Sequence, residues 1–327
     1  MRRMRSGNWR ILLVLAAVNV VIMGLLTGLS PTFLSYGNLS AVLLRMSELS
    51  MLAIAETIVL IAGGFDLTIG AVMALSATVF GTLHVAGLPF AAIVALALLA
   101  GIAAGALNGF LVVALRLQPF IVTLATMSIV RSVVYGLLKG NVLSNLPEGF
   151  LDLGYVYVLK LPLLFLVVVA VAVLAIMLLR RTVIGRRIYA IGGNERTAFL
   201  SGVHVDRMKY LVYALSGFIS ALAGLMYTVR IRAVVPDMGI TSPLEVVTAV
   251  LIGGTAITGG KGSVFGSLLG ILAMYLLLNG FNLLGLNPFW QVIILGLILI
   301  YVVGQENIVR GLRAFFGRRR AEKPRVG

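Results

Sequence analysis

A chain of 327 residues that is 60% hydrophobic and only 11% charged, with a mean hydropathy of +1.09, has more apolar surface than a soluble core can hide, and reads as a polytopic membrane protein. The formal charge of +15 does not point to nucleic acid, because the basic residues gather at the ends of apolar runs and are not interleaved with aromatics on one patch. Zero cysteines exclude disulfides, thiolate zinc sites and thiol catalysis, and His84 and His204 alone make a poor metal site.

Residues 1–9 form a basic N-terminus, and the apolar run that follows, Ile11 to Leu29, is long enough to span a bilayer. No small-x-small cleavage site follows it, so the expectation is a retained first helix with its N-terminus in the cytoplasm. The expected fold is an all-α membrane protein with one polytopic domain over 10–304 and about ten transmembrane helices. These are placed at Arg10–Leu29, Met46–Ala62, Gly70–Ala86, Pro89–Leu115, Pro119–Leu138, Leu161–Leu179, Tyr210–Val229, Leu244–Thr258, Val264–Leu284 and Pro288–Val303. Counting from inside puts the segment 180–209 and the tail 305–327 in the cytoplasm. Twenty of the 26 Lys and Arg then fall inside and five outside, the asymmetry that orients membrane proteins. The tail, with GRRR at Gly317–Arg320, is polybasic and suited to anionic lipid.

Two stretches interrupt the apolar pattern alike. IAGGFDLTIG (Ile61–Gly70) and LIGGTAITGG (Leu251–Gly260) align Gly63, Gly64, Thr68 and Gly70 with Gly253, Gly254, Thr258 and Gly260, which predicts a diverged internal repeat. Two readings fit. Either these are broken or re-entrant helices beside a water-filled path, lined by those residues and Thr255, or they are tight cytoplasmic turns. Gly101, Gly105 and Gly109, and Gly262, Gly266 and Gly270, form GxxxG runs for close helix packing. Asn108, Asn279 and Asn282 line a polar path or tie helices together.

Charges within spans are costly and usually paired or functional. Glu56 and Arg131 come out at similar predicted depths, roughly 15 Å and 12 Å from the outer side at 1.5 Å per residue, which predicts an ion pair. Asp66, at the first break, is expected at the cytoplasmic mouth. The loop 139–160 is the longest outside and suits either an external partner or solvent.

The segment Arg180–Lys209 carries seven basic residues. Gly192, Gly193 and Asn194 are expected to break the preceding segment, with Asn194 as N-cap and Glu195 at the positive end of a helix of about two turns running to Ser201 and stopped by Gly202. So short a helix needs a surface, on which Phe199, Leu200 and Val203 would be buried. It fits a membrane-lying helix held by arginines at headgroups, or a docking helix for a cytoplasmic partner. The nearest approach to a phosphate loop, GGTAITGGKGS (Gly253–Ser263), fails the required spacing, so an ATP-driven protein of this sequence would need ATP bound on another chain. No HExxH, G-x-S-x-G or placed carboxylate pair supports an enzyme. A stand-alone carrier or channel is the rival to an ATP-driven transporter.

GGFDLTIG, GALNGFLVVALRLQPFIVTLATMSIVR, GRRIYAIGGNERTAFLSGVHVDRMKYLVYALSG and VLIGGTAITGGKGSVFGSLLG together resemble the ribose-type branch of bacterial ABC importer permeases, in order from about Leu49 to Val303. The resemblance implies a non-enzymatic permease of the bacterial inner membrane that binds no cofactor itself. Its implied partners are an ATPase subunit holding ATP and Mg²⁺, a periplasmic substrate-binding protein, and a second permease copy or paralogue. The implied cargo is a pentose or hexose moved by alternating access, and several relatives carry a nucleoside or a sugar-like signal instead. It places Gly192, Gly193, Asn194, Glu195, Arg196, Phe199, Ser201 and Gly202 in the loop that receives the ATPase, and the two breaks near the path, where Glu56, Asp66, Asn108, Arg131 and Asn279 are further candidates. Glu56 stands where the family leads one to expect a small or uncharged residue.

Overall fold

The computed structural model describes residues 8–287 and, beyond them, residues 289–291, 293, 294, 296, 297, 300 and 304. Most of the predicted last span, the tail 305–327 and residues 1–7 lie outside the described residues.

The protein is mostly helical. The continuous helices among the described residues are α1 (Asn8–Leu29), α2 (Tyr36–Ile61), α3 (Ile69–Val85), α4 (Phe90–Val113), α5 (Pro119–Leu138), α6 (Glu148–Leu151), α7 (Leu163–Arg181), α8 (Val183–Gly193), α9 (Glu195–Leu200), α10 (Val205–Ile231), α11 (Ser242–Ile252) and α12 (Val264–Leu283). Between α6 and α7 lie a 3₁₀ turn and a small antiparallel pair, β1 (Tyr157–Val158) and β2 (Leu161–Pro162).

Local chemistry sets several of these boundaries. Ser35 caps α2 by accepting from the Asn38 amide, Ser263 caps α12 by accepting from Gly266, and Pro119 opens α5 where a missing N–H costs nothing. Among the described residues, six helices are long and apolar enough to cross a membrane: α1, α4, α5, α7, α10 and α12. The expectation of about ten spans therefore resolves into these six plus elements of other kinds. Helix α11, with 11 residues, rises about 16 Å, roughly half of a bilayer core. Helix α2 has 26 residues and starts ten residues before the predicted Met46, because Asn38, Arg45, Ser47 and Glu48 interrupt its apolar pattern.

Helix α10 is central, packed on α2, α3 and α4. Small residues permit the closest of these contacts. A Cβ on Gly101 or Gly105 of α4 would meet the Gly217 or Tyr213 carbonyl oxygen of α10 at 2.6 or 2.2 Å, so the two backbones touch. One apolar cluster runs through α2, α3, α7, α10 and α12, while Leu25, Leu99, Ile129 and Leu174 face outward from α1, α4, α5 and α7 as lipid-facing residues do. Helix α1 packs chiefly on α12.

Candidate functional site

Helices α2 and α11 end with the same cap. The amides of Gly63 and Gly64 return to the Leu60 and Val59 carbonyls at 2.9 and 3.0 Å, and those of Gly254 and Thr255 return to Leu251 and Val250 at 2.9 and 3.2 Å. Gly63 and Gly254 occupy the left-handed region, φ +79° and +83°, where a side chain would be strained. The geometric counterpart of Gly63 is thus Gly254, one residue off the alignment predicted with Gly253. The second break is also longer: α3 begins at Ile69, whereas α12 begins only at Val264.

Helix α8 is wedged between these two breaks. Thr182 caps it by accepting from the Gly185 amide at 3.1 Å, and Gly192 and Gly193, expected to interrupt the segment, are instead its last two residues. A Cβ on Gly192 would lie 1.8 Å from the Ile61 carbonyl oxygen and 2.6 Å from the Gly260 nitrogen. Those two groups are themselves hydrogen-bonded, Gly260 donating to Ile61 at 2.9 Å. The Tyr189 hydroxyl of α8 donates to the Gly262 carbonyl at 2.8 Å, and burial pushes its phenol above the ordinary value, with Arg180 pulling less strongly downward. It therefore keeps its proton, and its donor role, at neutral pH.

Helix α9 follows directly. Asn194 accepts from the Thr197 amide at 2.8 Å and Glu195 pairs with Lys209 at 2.7 Å. Ala198 is buried with Ile191 and Val205, and Val203 packs partly against them. Phe199 and Leu200 are 67% and 77% exposed, so the surface they need lies outside this chain's described residues. Arg196 is exposed beside them. The helix stops at Leu200, with Ser201 as its C-cap donating to the Thr197 carbonyl at 2.8 Å, and Gly202 takes φ +81°.

A buried polar chain begins at the first break. Asp66 Oδ1 accepts from the Thr68 amide and hydroxyl at 2.9 and 2.5 Å, and its Oδ2 accepts from Ser216 of α10 at 2.7 Å. Asn108 of α4 donates to Thr68 Oγ1 at 2.8 Å and accepts from Thr126 of α5 at 2.6 Å. Asp66 is only 2% exposed, so it is enclosed in the bundle and does not face solvent as a mouth residue would. Asn108 thus ties α4 to α5 and to the first break.

Glu56 and Arg131 do not pair. Glu56 Oε1 accepts from the Asp66 amide at 3.4 Å, while Arg131 donates to the Pro236 and Met238 carbonyls at 2.9 and 2.6 Å. Helix α2 starts at Tyr36, which puts Glu56 about 30 Å from the helix start, beside the break and away from the depth expected of it. Thr255 is buried near Ser267 of α12, whose hydroxyl also accepts from Thr57 of α2 at 2.7 Å, and Thr258 is exposed. Asn279 is remote from this group, exchanging two hydrogen bonds with Asn38 at 3.0 and 2.8 Å. The breaks and α8 with α9 thus come together, and Arg131 and Asn279 stand apart. Thr57, Thr126, Tyr189, Ser216 and Ser267 went unnoticed in the sequence, where their only signal was a hydroxyl inside an apolar run.

The family described as branched-chain amino acid transport system / permease component matches residues 38–303. The chain belongs to this family of permeases. The permease is 34% identical over 292 residues to a ribose import permease protein of Haemophilus influenzae, covering 88% of this chain and 90% of the relative. It is 32% identical over 291 residues to a D-allose transport system permease protein of Escherichia coli (88% and 89%), and 31% identical over 322 residues to a galactose/methyl galactoside import permease protein of Salmonella typhimurium (93% and 94%). No solved structure matches the permease. The matched region takes in both breaks, α8 and α9, and leaves α1 outside.

Proposed function

We propose that the permease is the membrane-embedded subunit of an ATP-driven importer that carries a monosaccharide across the bacterial inner membrane by alternating access. An ATPase subunit with its ATP and Mg²⁺ docks on α9, a periplasmic binding protein delivers the sugar at the opposite end, and a second permease copy or paralogue completes the path. The termini are cytoplasmic, and α2, α3 and the half-length α11 supplement the six long helices inside the membrane.

The observation that carries this reading is the seat of α8. The exposed apolar pair Phe199 and Leu200 sits one short helix away from Gly192, which touches the backbone of both breaks. A push on α9 is therefore delivered to two interrupted helices through contacts with no side chain to yield, and packed elements of this kind move between discrete arrangements. A difference in ATPase affinity between the two arrangements is what would drive the change. The second break supports the need for a separate ATPase, since its Gly259 and Gly260 lie against Gly192 and Gly193 where a phosphate loop would need open amides. Three relatives named for ribose, allose and galactose support a sugar cargo over the amino acids of the family description.

The test is Glu195→Arg with Phe199→Asp in the reconstituted complex. The expected result is membrane insertion as before with loss of ATPase co-purification and of ATP-driven sugar uptake. Retention of both would sink the assignment.

A further inference from the structure

A second polar site lies at the other end of α2 from its break. A cavity of about 460 Å³ opens between the start of α2, the end of α10 and the last turns of α12. That volume is within the roughly 300–1,000 Å³ of small-molecule sites.

Four carboxamides line it: Asn38, Asn279, Asn282 and Gln291. Asn38 and Asn279 bond reciprocally, and Gln291 donates to Asn282 Oδ1 at 2.9 Å. Each amide has two N–H groups and two acceptor lone pairs; Asn38 spends both donors, on Asn279 and on the Phe33 carbonyl at 2.8 Å, so spare donors remain on Asn279, Asn282 and Gln291 and spare acceptors on all four. Arg230 also lines the cavity, and its charge is balanced by Glu48 of α2 at 2.5 Å, a carboxylate 1% exposed. The Arg230 Nε and the Glu48 Oε2 are buried without a hydrogen-bond partner among the described residues. Tyr275 adds a ring to the wall, and Arg45 stands exposed at the rim.

Such a wall suits a neutral molecule dense in hydroxyls, each of which donates and accepts, more than an ion or an apolar ligand. Resting on the importer reading above, we infer that this cavity is a subsite that holds the monosaccharide at the end of the permease remote from α9. The amide pair across its floor ties α2 to α12, so sugar binding there bears on the two helices that flank the breaks.

The absence of native cysteine makes a single reporter clean. Ala41, exposed on the cavity wall, is replaced by Cys in the complete complex in nanodiscs, and its rate of reaction with a charged methanethiosulfonate is followed. D-ribose, D-allose and D-galactose are the probes, with glycerol and a sugar acid as comparisons. The expected result is a saturable, several-fold slowing by at least one neutral sugar and none by glycerol, and loss of that protection in Asn279→Leu. Protection by the sugar acid alone overturns a neutral cargo at this site. ATP-driven uptake by the same Ala41→Cys complex, measured in parallel, separates the failures: uptake without protection overturns the subsite, and no uptake of any of these sugars, with the unsubstituted complex equally inactive, overturns the importer reading and the subsite with it.

Discussion

At the break after α2, one carboxylate collects three donors, and the chain that leaves it reaches α4, α5 and α10 through Asn108, Thr126 and Ser216. At the break after α11 no carboxylate is present between Gly253 and Ser263; the loop is closed by its own amides, Ala256 to the Lys261 carbonyl at 3.0 Å and Gly259 to Ala256 at 3.2 Å, and rests by backbone on α8. Two segments with the same cap both touch α8, but the first is tied into the helical core by a carboxylate and the second is held chiefly by backbone.

The widest separation of outcomes comes from two adjacent glycines. Gly192→Ala drives a methyl into the Ile61 carbonyl and the Gly260 nitrogen, with an expected loss of about 3 kcal/mol or more, read as a fall in thermal unfolding temperature in detergent. Gly193→Ala meets nothing within 4 Å and should melt like the parent. Equal melting of the two variants would remove the wedge. Next, Asp66→Ala orphans the Thr68 and Ser216 donors inside the bundle and should cost about 3 kcal/mol. Asn108→Ala should cost about 2 kcal/mol, and less than that on top of Asp66→Ala, because the two share Thr68. A double variant whose loss is the plain sum would break the chain into separate contacts. Smallest of all, Thr255→Val removes only a long 3.4 Å contact to Ser267 and should cost below about 1 kcal/mol by the same melting assay, which sharpens the contrast between a break held by side chains and one held by backbone.

Glycine punctuation made both breaks visible in the sequence, and the Asn194 cap with Glu195 and Gly202 made α9 visible nearly to its ends. Those features depend on a few neighbouring residues. The start of α2 was hidden for a related reason: its first turns face a polar cavity, so Asn38 and Arg45 sit where an apolar pattern was sought. Helix α8 was obscured by Gly192 and Gly193, poor helix formers retained where a side chain would strike both breaks. The polar chain was not legible, since Asn108 and Thr68 are 40 residues apart and Asp66 and Ser216 are 150 apart, and no local pattern ties such pairs. Glu56 and Arg131 lie at different depths because the polar first turns of α2 move its start from Met46 to Tyr36.

Helix α1 has a consequence for the order of assembly. It touches chiefly α12, and Asn19 donates to a carbonyl 250 residues later, at Leu269. At ribosomal rates of about 5–20 residues per second, α1 waits alone in lipid for some tens of seconds before that neighbour is made. It is equipped to wait: its mean hydropathy is 2.5, and Asn19 meanwhile donates to its own Leu15 carbonyl at 2.8 Å. Helix α1 thus finds its place only after α12 has been made, although it precedes that helix by more than 200 residues.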